Sequence, residues 1–153
     1  MVRLADLEEG FARTLREMPL PAFEKTPWAE PVPLPQARVA IVSTAGLHRR
    51  TDSVFGPGSS DYRLIPGDID PADLVMSHVS VNFDRSGFQQ DLNVVFPLSH
   101  LKELARLGEI GSVAAWHYSF MGATDPTRMA EHGAAVGKLL KADGVTAALL
   151  VPV

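Results

Sequence analysis

Residues 144–153 read GVTAALLVPV. After the opening glycine the run is apolar and β-branched, uncharged, and broken only by Thr146. That is the character of a strand bound for the middle of a sheet, where both faces are covered. The residues before it read as a helix. Asp125-Pro126 places an N-cap side chain ahead of proline at the first helical position. Met129, Gly133, Val136 and Leu140 then follow at helical spacing up to Gly144. A helix delivering the chain into a buried strand is the repeating unit of an α/β domain.

Working outward, the alternation continues. SVAAW (112–116) predicts a strand, and SHLKELARLG (99–108) a helix with Leu101, Leu104 and Leu107 inward and Gly108 as its stop. DLVMSH (73–78) predicts a strand, YRLIP (62–66) a short edge strand, and RVAIVST (38–44) a buried strand. AGLHRRTDSVFGPGSSD (45–61) reads as one long loop. Residues 38–153 are therefore expected to form an α/β domain: a layered, mostly parallel sheet with helices on both faces, one half of a Rossmann-like fold. Residues 1–37 form a separate arm. An amphipathic helix over 2–18 carries Leu4, Leu7, Phe11, Leu15 and Met18 on one face. A connector rich in proline follows, extended across the surface and pinned by Phe23 and Trp28.

Composition narrows the function classes. The chain has 153 residues, 46% hydrophobic, and a formal net charge of -4. That size supports one packed core, and the negative balance argues against nucleic acid and anionic membrane surfaces as partners. No apolar run approaches a membrane span, and MVRLADLEEG is too acidic for a signal peptide, so a cytoplasmic protein is expected. Cysteine is absent, which removes disulfides, cysteine-ligated metals and thiol nucleophiles from these residues.

In open α/β sheets ligands bind outside the carboxyl ends of the strands. Gly46-Leu47-His48-Arg49 follows the first strand; His78 follows DLVMS, with Asp84, Asp91 and Asn93 beyond it; His117, Tyr118 and Ser119 follow SVAAW. Three of the five histidines thus share one predicted edge. Each has a plainer reading: His48 ties down a loop, Arg49 is solvated charge, His78 caps a strand, and His117 is a satisfied, half-buried side chain. Asp84, Asp91 and Asn93 either hold neighbouring histidines in one tautomer or cap turns. Neutral imidazoles with aspartate suit zinc or iron, so a metal-dependent hydrolase or lyase is one alternative, although nothing in the spacing demands a metal. FGPGSSD lacks the phosphate-cradling glycine patterns and reads as a turn or lid.

STAGLHRR after a strand, YRLIP, the SH…D pair, DLNVVFPLSHLKEL, GEIGSVAAWHYSFMG and LKADGVTAALLVPV, in that order, resemble the selenoprotein B family. That family includes the substrate-specific subunits of glycine, sarcosine and betaine reductases and a D-proline reductase subunit. The likeness runs from about residue 38 to the end and is to the shorter, proline-reductase-like members. It implies an oxidoreductase that cleaves a C–N bond of an amino acid or N-methylated relative with a dithiol donor, alongside a partner reductase subunit. It places the redox residue, selenocysteine or cysteine, directly after the strand matching TAALLVPV. Selenocysteine is encoded by UGA, so a frame called without recoding ends at Val153, and the 153 residues are expected to be inactive as written. In that reading His48, His78 and His117 orient substrate and supply protons, and Arg49, Asp84, Asp91, Asn93, Tyr118 and Ser119 bind it. The chain brings no cofactor of its own. An uncovered apolar edge implies a homodimer. A non-catalytic complex-forming domain is the other alternative.

Overall fold

The structure is a computed structural model that describes residues 3–18, 22, 28–80 and 84–153. In chain order its elements are α1 (Glu9–Glu17), β1 (Arg38–Ser43), β2 (Leu47–Arg49), β3 (Arg63–Pro66), β4 (Leu74–Met76), α2 (Ser86–Gln90), α3 (Leu98–Arg106), β5 (Ser112–Val113), β6 (Trp116–Ser119), α4 (Ala130–Ala142) and β7 (Ala147–Val151). β1 is the hub. Along one side it pairs in parallel with β7, from Val39↔Ala147 to Ser43↔Val151. Along the other it pairs in parallel with β5 at Arg38↔Ser112 and then with β6 at Val42↔Tyr118. β5 and β6 are one strand path interrupted at Ala114-Ala115.

The sheet is mixed, which corrects the expectation of a mostly parallel one. β3 lies antiparallel on β6, and β2 and β4 form their own antiparallel pair. β2 does not pair with β1 but joins β4 in a separate two-stranded sheet. The chain reverses at Gly46, whose φ of +66° is a conformation that favours glycine. β2 itself lies within the stretch read as loop, because three residues are too few to show a period.

Alternation along the central strands divides the core. Val39 and Ile41 join Leu47, Ile65, Phe96, Leu98 and Leu101 in one cluster. Tyr118 and Phe120 join Val42, Val136 and Leu140 in another. α3 thus serves the first cluster and α4 the second. On α3 the buried stripe is Leu98 and Leu101, with Ala105 packed against the same cluster, whereas Leu104 and Leu107 are exposed. The helix begins one residue earlier than its sequence suggested, and the i, i+3, i+7 stripe from Leu98 falls on a different face.

β7 is present where the sequence placed it, but it has β1 on one side only, and Leu149 and Leu150 are exposed. The arm also departs from its reading. A 3-10 turn at Leu4–Asp6 is separated from α1 because the Glu8 carboxylate caps the N–H groups of Gly10 and Phe11. Leu4, Phe11, Leu15 and Met18 are exposed. Trp28 is 87% exposed and pins nothing, and Phe23 lies outside the described residues.

Candidate functional site

The carboxyl ends of β1, β6 and β7 meet around Thr44. Its hydroxyl accepts from the Val153 N–H at 2.8 Å and lies 3.3 Å from the Val153 carbonyl oxygen. Its backbone N–H donates to Val151 O and its carbonyl accepts from Gly122 N–H. A Cβ on Gly122 would sit 2.5 Å from the Val153 oxygen, so only glycine lets the chain after β6 approach this closely. Gly46 brings in the end of β4: its carbonyl accepts from Ser77 N–H at 2.9 Å, and a Cβ there would lie 3.1 Å from His78 N.

Two of the three predicted histidines lie beside this junction, His78 against Gly46 and His48 through Ser77. His78 is buried; its Nδ1 accepts from Ser80 N–H at 3.2 Å, and Arg85 donates to its carbonyl. Burial, then the charge of Arg85, lowers its pKa, against a hydrogen bond to the Val153 backbone. His48, also buried, has Nε2 2.6 Å from Ser77 Oγ and Nδ1 2.8 Å from Arg49 O.

His117 does not join them. It lies within β6 rather than after it, with its ring in the first core cluster, edge-on to Phe96 at 5.5 Å. At Ala114-Ala115 the β1–β5/β6 ladder is interrupted, and the N–H of Ile41 donates to His117 Nδ1 at 2.9 Å. The imidazole thus replaces a missing carbonyl. Around the interruption, Asp143 accepts from the N–H groups of Ala115 (2.8 Å) and Trp116 (3.2 Å) and pairs with Arg38 at 2.6 Å. Burial pushes the His117 pKa down to about 4; the Asp143 charge opposes this, while Lys102 and Arg38 add to it. The ring is neutral at physiological pH and its Nε2–H has no partner among the described residues.

The remaining candidates are dispersed. Asp84 caps Ser86, and Asp91 caps Asn93, whose side chain in turn accepts from Ser99. These bonds hold both carboxyls below their usual range, and neither aspartate bonds a histidine. Asp91 and Asn93 line a cavity of about 300 Å³ with Phe96 and Lys102. Arg49 forms a forked pair with Asp52. Tyr118 faces the second cluster, edge-on to Tyr62. Ser119 is buried and accepts from Leu47 N–H at 2.8 Å, which fixes the start of β2. Among the described residues no group of three or more His, Cys, Asp or Glu is arranged to hold a metal ion. Sequence reasoning missed Thr44, Ser77 and Gly122. The first two sit on or beside strands it did identify, and their place at strand ends was the available signal.

Comparison with known proteins adds a lineage. The family model for glycine/sarcosine/betaine reductase selenoprotein B matches residues 8–153. D-proline reductase subunit gamma of Acetoanaerobium sticklandii is 35% identical over 115 residues, 73% of this chain and 47% of its own length. Glycine reductase complex component B subunit gamma of Carboxydothermus hydrogenoformans is 28% identical over 140 residues, 88% of this chain and 32% of its own. Sarcosine reductase complex component B subunit beta of Peptoclostridium acidaminophilum is 29% identical over 142 residues, with the same shares. The chain therefore spans 32% to 47% of the length of these relatives. No solved structure matches it.

Proposed function

The chain belongs to the glycine/sarcosine/betaine reductase selenoprotein B family, and from that premise we propose that it is a component of a reductase complex acting on an amino acid or an N-methylated amino acid. The relatives are named for D-proline, glycine and sarcosine reduction, and these set the substrate class. The observation that carries the reading is the junction of strand ends at Val153. The resemblance puts the redox residue directly after this strand. Here the strand's end is gripped by Thr44 and backed by Gly122, and its Val153 backbone raises the pKa of His78.

Reductive cleavage of a C–N bond takes two electrons and two protons, one for the departing amine and one for the carbon it leaves. A selenolate or thiolate supplies the electrons and is regenerated through a selenenylsulfide or disulfide. These 153 residues contain no cysteine, so they furnish the scaffold and proton-handling groups but not the electron carrier. His78 is the group best placed to exchange a proton with that carrier. The open edge of β7, with Leu149 and Leu150 exposed, is covered in this reading by a second copy or a partner subunit. Among the described residues no helix is long and apolar enough to cross a membrane.

The test is turnover. Residues 1–153 with a dithiol donor should leave D-proline, glycine, sarcosine and betaine unchanged. The same chain continued past Val153 with cysteine or selenocysteine should bind or reduce one of them. Turnover by the 153 residues alone would overturn the proposal.

A further inference from the structure

His48 faces Val75 across the β2–β4 pair, so Ser77, two residues on, is its diagonal neighbour. Their polar atoms are 2.6 Å apart, and the other ring nitrogen lies 2.8 Å from the Arg49 carbonyl. A carbonyl oxygen only accepts. Nδ1 therefore carries the ring's proton, Nε2 presents a lone pair, and the Ser77 hydroxyl donates to it. The ring is 2% exposed and fixed edge-on against Phe55 at 6.4 Å. Ser77 is only half-buried, and its backbone is anchored to Gly46. A hydroxyl on a half-buried residue, bonded to an imidazole that a third group holds in one tautomer, is the arrangement of an activated nucleophile. A negative charge stands near as well: Asp52, kept ionised by Arg49 against its burial, also responds to the charge of His48.

We propose that Ser77 and His48 form a nucleophile–base pair for acyl transfer, acting on an activated acyl compound, an ester or a thioester. Ser77 Oγ forms a bond to the acyl carbon while its proton passes to His48 Nε2. The bond from that carbon to the alkoxide or thiolate breaks, and the leaving group takes the proton from His48. Water, deprotonated by the same nitrogen, then cleaves the acyl-serine and restores the hydroxyl. No electrons are exchanged, so the activity needs no selenol or thiol and stands apart from the reductase reading. Asp52 offsets the charge on His48 while it is protonated. A purely structural Ser77–His48 tie would show none of this reactivity.

The experiment uses the full 153-residue chain and p-nitrophenyl acetate. One acetyl group should appear on the protein by mass and map to Ser77. Acylation should vanish in Ser77→Ala and slow by roughly 100-fold in His48→Gln, the scale of a lost general base. Hydrolysis that persists unchanged in Ser77→Ala would overturn the proposal. Ser77→Cys offers a second readout, because the chain has no other thiol. Its alkylation by iodoacetamide at neutral pH should outpace that of free cysteine and lose the advantage when His48→Gln is added. A thiol at 77 that reacts no faster than free cysteine would also overturn it.

Discussion

His48 and His117 are both buried, yet their nitrogens are used in opposite ways. At His48 the ring gives its proton to a carbonyl and takes one from a hydroxyl. At His117 the ring accepts a backbone N–H that an interrupted strand left unpaired. The first arrangement leaves a polarised hydroxyl at a half-open position, and the second completes a sheet. Burial and a displaced pKa are therefore poor guides to a site. His117 has its pKa moved to about 4, and its hydrogen bond is structural. What distinguishes the two is which group donates to the ring.

The largest test of that contrast is His117→Ala. It removes an imidazole from the core and orphans the Ile41 N–H, so a loss of about 3–5 kcal/mol in urea unfolding is expected. A loss under about 1 kcal/mol would mean that the strand repairs itself without the ring.

Acid should expose the same dependence. The folded pKa of His117 lies below its unfolded value of about 6.5, so the unfolded state binds the extra proton as pH falls. The full contribution is present above that pH and is lost as pH drops toward 4. The difference corresponds to about 3 kcal/mol, of which about 2 is gone by pH 5. His78, also lowered, adds in the same direction. Unfolding at pH 7, 6 and 5 measures the slope, and His117→Gln should flatten it. An unchanged slope in that variant would assign the acid sensitivity elsewhere.

Asp143→Asn comes next. Burial raises this carboxyl, but Arg38 and the N–H groups of Ala115 and Trp116 outweigh it and hold the group below its usual range. Losing the charge weakens those bonds, and about 2 kcal/mol of destabilisation is expected from a charge-assisted cluster at a mostly buried site. The Asp143 charge also pulls the His117 pKa upward, so the variant should titrate His117 lower still, as read by NMR.

How much of this was legible depended on length and period. β1 and β7 were readable because five or six apolar residues in a row admit few other states. β2 was not, since LHR is three residues long and its pairing with β4 is non-local. The split of SVAAW from WHYS was invisible for a related reason: a strand interruption is defined by its partners, here Asp143 and Ile41, and no window of local sequence contains them. That interruption carried His117 from the expected rim into the core. Placing functional residues after strands succeeded for His78, since β4 ends at Met76, whereas His48 lies inside β2, in the stretch that reads as loop.

The smallest effect sharpens the comparison from the other side. Ser77→Ala removes one hydrogen bond to His48 and leaves the ring bonded to Arg49 O. The freed Nε2 sits beside a half-exposed position that water can reach, so the loss of stability should be about 1 kcal/mol or less. Ser77→Thr keeps the hydroxyl and should cost less still, because the bond to His48 can be kept. Urea unfolding of the two variants beside His117→Ala places the histidines on one scale. If Ser77→Ala proved as damaging as His117→Ala, the Ser77–His48 bond would itself be a structural tie. The contrast between a ring that completes the sheet and a ring that activates a hydroxyl would then collapse. A small cost with lost acylation would show that the bond is maintained for reactivity, since the fold gains little from it.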